Sequence, residues 1–328
     1  MGQKDPMRIM NLLKSSLVFC LFSFIIHSFV FGQLSVPVDQ AASPILSSLV
    51  GKTNVPIVWE GSEWSPRAAA LVPVSIPGLE EEFYFQFDLG SARNLLYEST
   101  LQQLDSMLAL QSVNTPSEKG LSLVIGDWTL EPGDYEVYPK EARIHFDDPE
   151  ARNIIGTLGS DIIPGHYTII DFLNSQLTIQ EASPSLPEEQ YGSMVFQHGA
   201  VLLPAKLGDE SLLLYFDTGS SAFELITDEP TWDKLKAPGA KPRSFQNNSW
   251  GRTLISHVVE SQATLRFAKA DLPLREVAYV EGASEAQVSM MLASGMQGML
   301  GNQIFSEKVV VLDGVQNRYA ILDHSPFE

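Results

Sequence analysis

Two aspartates, each ending an apolar run and opening a tight turn, are the residues in this chain best placed to do chemistry. Asp217 lies in Tyr-Phe-Asp-Thr-Gly-Ser-Ser-Ala-Phe-Glu-Leu-Ile (215–226), and Asp88 lies in Phe-Tyr-Phe-Gln-Phe-Asp-Leu-Gly-Ser (83–91). Apolar residues on both sides of each turn read as strand, turn, strand. Each turn therefore carries an acidic side chain into a region that the flanking strands bury. Two carboxyls held together do not both ionise cheaply, so they share a proton and titrate as a pair. Such a pair supplies a base and an acid at once: the ionised member takes a proton from water while the protonated member donates to an oxygen under attack.

An internal repeat links the two turns. Leu-Val-Pro-Val-Ser-Ile-Pro-Gly-Leu-Glu-Glu-Glu-Phe-Tyr-Phe-Gln-Phe-Asp (71–88) parallels Leu-Leu-Pro-Ala-Lys-Leu-Gly-Asp-Glu-Ser-Leu-Leu-Leu-Tyr-Phe-Asp (202–217), two strands with a glycine at the bend in each copy. Downstream, residues 154–179 match residues 296–321. Both read Gly-x-Leu-Gly, an apolar strand, an aspartate at a turn and a closing apolar strand, and Gly156 to Asp171 spans the same 15 residues as Gly298 to Asp313. The segment 181–192, rich in proline, serine and glutamate, reads as the linker between the copies. Short β-branched and aromatic stretches dominate elsewhere and predict a mostly β protein. The exceptions are helical patterns over Leu95–Leu110 and around Ala283–Leu292.

This constellation resembles the pepsin-like aspartic peptidases, over roughly residues 66–328. The resemblance implies a bilobal, acid-protease-like double β-barrel from an internal duplication, with a cleft between the lobes. An N-terminal lobe (66–180) would carry Asp88 and a C-terminal lobe (193–328) would carry Asp217. The expected activity is hydrolysis of peptide bonds by a water activated between Asp88 and Asp217. Gly90 and Gly219 would allow close approach of the turns, Ser91 and Ser220 would orient the carboxylates, and Thr218 would donate across the lobe interface. Leu89 departs from the pattern, because the family has a hydroxyl residue there. One cross-lobe hydrogen bond is therefore expected to be missing. That departure supports an alternative: an inactive protein of the same fold that holds a peptide or another extracellular ligand in the cleft. The family's Tyr-Gly flap tip is also absent between Asp88 and Gly156. The polar loop Ser112–Gly120 and the hairpin at Gly126-Asp127 are the candidates for that role, with Trp128 read as a packing residue.

The remaining sequence sets the context. The 328 residues are 44% hydrophobic and 19% charged, ordinary globular values. A net charge of −19 disfavours nucleic acid and anionic lipid as partners; a peptide or protein substrate and a monomeric protein are what the resemblance implies. Lys4, Arg8 and Lys14 precede the apolar run Ser15–Gly32, so residues 1–32 read as a signal peptide cleaved before Gln33, or alternatively as a retained membrane anchor. Export to the cell exterior or envelope follows, and residues 33–65 are an N-terminal extension. Cys20, the single cysteine, lies in the signal segment, which excludes disulfides and cysteine-ligated metals from the body. No metal and no organic cofactor is expected: His145-Phe146-Asp147-Asp148 has no second ligand cluster at a useful spacing. Ser220 and Ser221 lack the nucleophile elbow of serine hydrolases. Asp171 and Asp313 read as turn residues.

Overall fold

A computed structural model describes residues 50–110, 120–148, 150–249, 252–281 and 296–326. The expected signal peptide, residues 33–49 of the extension, the polar loop 112–119 and the predicted helix over 283–292 lie outside the described residues. The described chain is mostly β, arranged as three large sheets and one small hairpin. Among the described residues, no helix is long and apolar enough to cross a membrane.

The N-terminal sheet has six strands in the spatial order Val58–Glu60, Ala69–Val74, Phe83–Phe87, Asn153–Leu158, Leu95–Tyr97, Glu136–Tyr138. The C-terminal sheet has eight: Val195–Gln197, Ala200–Leu207, Glu210–Phe216, Gly298–Leu300, Leu225–Ile226, Ala270–Glu281, Arg252–Phe267, Arg243–Ser249. The two share one pairing scheme. The strand before each aspartate runs antiparallel to its predecessor and parallel to the strand bearing the first glycine of Gly-x-Leu-Gly. That glycine strand then pairs antiparallel with the strand leaving the aspartate turn. The repeat seen in the sequence is thus a repeat of topology. Phe83–Phe87 is buried at every position, as a central strand covered on both faces requires.

A third sheet belongs to both copies. Its order is Lys52–Pro56, Gln176–Gln180, Tyr167–Asp171, Val309–Asp313, Arg318–Leu322, Gly192–Ser193. The middle pair is antiparallel and centred on Ile169 opposite Val311. These are counterparts in the repeat, as far beyond Gly156 as beyond Gly298. A continuous core joins the halves, with Phe305 in ring contact with Phe172 at 6.2 Å and Phe216 at 5.1 Å.

Several expectations are revised. The fold begins before residue 66, because Lys52–Pro56 and Val58–Glu60 are strands of two sheets. The helix predicted from Leu95 starts at Glu98: Leu95, Leu96 and Tyr97 are buried between two neighbouring strands, and pairing there outweighs helix propensity. A second helix, Glu229–Leu235, was not anticipated, although Asp228 caps it by accepting from the Thr231 N–H and Pro230 sits in its first turn. The Gly126-Asp127 turn does join a hairpin, Leu123–Ile125 with Trp128–Leu130. Its tip is pinned to strand Lys52–Pro56, since the Thr53 hydroxyl donates to Ile125 O and accepts from Asp127 N, both at 3.0 Å. The hairpin is therefore a packing element, not a free flap, and Trp128 is buried edge-on to His166.

The glycine strands are where the packing is least forgiving. A Cβ on Gly156 would lie 2.2 Å from Leu95 O and 2.4 Å from the Phe85 ring. Gly156→Ala is expected to destabilise the protein by about 1–3 kcal/mol or more, measured as a lower urea midpoint. The same substitution at Gly133, where a Cβ meets nothing within 4 Å but φ is +111°, carries only the cost of backbone strain.

Candidate active site

Each aspartate sits where its strand stops and the turn begins. Asp88 N donates to Leu158 O at 3.0 Å and Asp217 N donates to Leu300 O at 2.9 Å, so the leucine of each Gly-x-Leu-Gly strand holds the neighbouring aspartate backbone. Each turn then closes on itself: Ser91 N donates to Asp88 O at 3.0 Å, and Ser220 N to Asp217 O at 3.1 Å. The chain next approaches its own carboxylate. Gly90 N donates to Asp88 Oδ1 and Gly219 N to Asp217 Oδ1, both at 2.9 Å.

The two turns face each other. A Cβ built on Gly90 would fall 2.5 Å from Asp217 Oδ1, and one on Gly219 would fall 2.4 Å from Asp88 Oδ1. Each carboxyl therefore fills the space that glycine leaves in the opposite turn, and the two carboxyls hydrogen-bond to each other. Both aspartates are fully buried. Burial pushes the Asp217 carboxyl well above the usual carboxylate range. The Asp88 charge and the hydrogen bond with Asp88 push it the same way, while the Ser220 hydroxyl and the Gly219 N–H pull it down. The pair is thus built to retain one proton.

Ser220 is where the resemblance puts it, donating to Asp217 Oδ2 at 2.9 Å. Ser91 is placed differently: its hydroxyl donates to Arg93 O at 2.7 Å, bracing its own loop. Thr218 crosses to the other turn, where its Oγ1 donates to Phe87 O at 3.0 Å and accepts from Leu89 N at 2.8 Å. Leu89 offers no reciprocal hydroxyl and its side chain joins the apolar core.

Tyr215, which the sequence reading did not single out, supplies a second tie. Its hydroxyl donates to Gly90 O at 3.0 Å and lies 3.4 Å from Leu89 O, so both cross-links come from the second half. Burial raises the Tyr215 phenol well above its usual value, and the nearby charges of Asp217 and Asp88 add to the rise. The phenol therefore stays protonated and remains a donor. The signal was a hydroxyl-bearing ring after three leucines, two residues before the aspartate, in Glu-Ser-Leu-Leu-Leu-Tyr-Phe (210–216). Asn302 was also missed; its Nδ2 donates to Thr218 O at 3.0 Å and to Ser221 Oγ at 2.7 Å, stiffening the turn from behind.

Other candidates fall away from the carboxyl pair. Asp171 accepts from Asn174 N, and Asp313 accepts from Val315 N, Gln316 N and the Arg318 guanidinium, as turn residues do. Among the described residues, no group of three or more His, Cys, Asp or Glu is disposed to hold a metal ion. A cavity of about 600 Å³ opens elsewhere, between Trp64 and a set that includes Glu224, Arg243, Glu260, Arg275 and Gln303, and neither aspartate lines it. The candidate site is defined by the carboxyl pair rather than by that cavity. No protein-family model matches the chain, and a search of curated proteins finds no match.

The cross-turn ties are separable by substitution. Thr218→Val leaves Phe87 O and Leu89 N without their partner in a buried setting and is expected to cost about 1–3 kcal/mol. Tyr215→Phe removes one hydrogen bond and is expected to cost about 0.5–1.5 kcal/mol. Urea unfolding of the single and double variants checks both values, and a double cost equal to the sum of the single ones would mean that the two ties act independently.

Proposed function

We propose that this protein is an aspartic-type endopeptidase of bilobal, pepsin-like architecture, with Asp88 and Asp217 as its catalytic pair. The observation that supports the reading most strongly is the mutual approach of the two carboxyls, each seated against the other turn's glycine and hydrogen-bonded to its partner. Such a pair meets the requirements of amide hydrolysis without a metal. One carboxylate accepts a proton from a water placed between them, and the other donates to the carbonyl oxygen as the tetrahedral centre forms. Gly90 N and Gly219 N hold the inner oxygens through backbone N–H groups, so the reacting oxygens are positioned without cost at the moment of reaction. Cleavage needs no cofactor in this scheme. The substrate is an extended peptide lying between the halves.

The pH dependence follows from the pair. Activity requires one ionised and one protonated carboxyl. As the pH rises through the raised Asp217 value the shared proton is lost, so activity falls on the alkaline side; in strong acid both carboxyls are protonated and activity falls again.

A second reading, a ligand-binding protein without turnover, is favoured by one observation. Both carboxyls are fully buried, and the Tyr215 hydroxyl caps Gly90 O beside them, so a peptide reaches the pair only after these groups move. The two readings part on Asp217→Asn. For the peptidase, this variant lowers kcat/KM on a peptide library by about 10²–10⁴-fold, and a statine-containing peptide inhibits the parent protein. For the binder, no peptide is cut between pH 3 and 8 and ligand affinity survives the substitution. Undiminished cleavage by Asp217→Asn would reject the assigned pair.

A further inference from the structure

Asp161 follows the first Gly-x-Leu-Gly element and takes no part in the chemistry above. It is 2% exposed, and its two oxygens differ. Oδ2 accepts from Asn94 N at 3.0 Å, whereas Oδ1 has no hydrogen-bond partner. Asn94 ends the loop that leaves the Asp88 turn, and the same corner is stitched repeatedly. Asn94 Oδ1 accepts from Gly159 N at 2.9 Å, Ser160 N donates to Ser91 O at 2.8 Å, and Asn94 Nδ2 donates to Asp134 O at 3.1 Å. Gly159 is pressed against the loop so closely that a Cβ there would lie 2.2 Å from Arg93 O. The Ser160 hydroxyl also reaches Gly199 O at 2.5 Å, beyond the linker.

We propose that Asp161 is a positioning residue for the Asp88 turn, and that its protonation state sets how firmly residues 91–94 are held. The physical cause is the unpartnered oxygen. In the neutral acid, Oδ2 keeps its bond from Asn94 N and Oδ1 carries no charge. Ionisation places a full charge on a buried carboxylate that only the Asn94 N–H and its own backbone N–H support, a state relieved by opening the corner to solvent. Two charged groups face it. The Arg93 guanidinium favours ionisation but is drawn away by Glu136 at 3.4 Å, and Glu136 itself opposes ionisation. Burial is the largest influence, with Asn94 N and Arg93 pulling the other way, and the Asp161 carboxyl is pushed up to about 7. Because the folded value lies above that of the unfolded chain, the stabilising contribution is complete below the ordinary carboxylate value. It is lost as the pH rises through about 7. The Asp88 turn is therefore held tightly in acid and loosened in mild alkali.

Amide hydrogen exchange on the full-length protein tests this without any substrate, so its outcome is separable from that of the peptidase reading. Between pH 5 and 8.5, after correction for intrinsic exchange, protection over residues 91–97 and 157–163 is expected to fall by about ten-fold or more. Asp161→Asn, which keeps an acceptor for Asn94 N but cannot ionise, is expected to hold protection flat. Glu136→Gln removes the opposing charge and frees Arg93 to favour the ionised form, so the midpoint is expected to move to lower pH, and Arg93→Gln is expected to move it to higher pH. These two surface variants keep the test decisive should Asp161→Asn fail to fold. An equal fall in Asp161→Asn and parent, a midpoint indifferent to both surface variants, or a fall abolished only by Asp217→Asn would overturn the proposal.

Discussion

Two negative charges cannot be stacked in a dry interior, and that constraint organises the centre of this protein. The carboxyls of Asp88 and Asp217 are buried against each other, so the arrangement persists only if one proton stays between them and if donors are ready for the charge that remains. The backbone supplies the donors. Gly90 and Gly219 present their N–H groups because the turns are tight, and the absence of a Cβ at both positions lets the opposing carboxyl approach. Each turn is in turn anchored by the leucine carbonyl of a parallel neighbouring strand. The local chemistry is thus a consequence of strand pairing that recurs in both halves.

The recurrence is not symmetric in detail. Where both halves of a perfect repeat would reach across equally, here the second half makes both side-chain ties, through Thr218 and Tyr215. The first half contributes backbone groups, the Phe87 and Gly90 carbonyls as acceptors and the Leu89 N–H as a donor, and an apolar Leu89 side chain that packs into the core. The serines diverge as well: Ser220 touches its carboxylate and Ser91 braces a loop. The carboxyl pair is thus held by side-chain hydrogen bonds from one half and by apolar packing from the other. Substitutions in the second turn consequently bear on both halves at once.

Much of this was legible in the chain. The two Asp-x-Gly-Ser turns, the parallel Gly-x-Leu-Gly strands and the spacing to Asp171 and Asp313 are local patterns. They depend on turn chemistry and apolar runs that a sequence displays directly. What escaped depends on distant partners. Leu95–Tyr97 carries a helical pattern yet is a strand, because its neighbours in the sheet lie about 40 and 60 residues further along the chain. Tyr215 became meaningful only once Gly90 O was seen to lie within its reach. Asp161 carries no local signal in the sequence; its unpartnered oxygen is a property of enclosure, which no single sequence displays. The Gly126-Asp127 turn was read correctly as a turn, but its tether to Thr53 required the fold.

The shared sheet has a consequence for how the chain comes to be assembled. Tyr167–Asp171 meets Val309–Asp313 with Ile169 opposite its own counterpart, so the seam is nearly a strand set against a copy of itself. Until the last stretch of chain is made, the earlier half presents the unpaired edge of a strand that is buried at every position in the finished fold, and its best available match is another molecule's identical edge. Synthesis therefore passes through a stage in which self-association competes with completion. Having both copies on one polypeptide resolves that competition, because the tethered copy is always the nearer one.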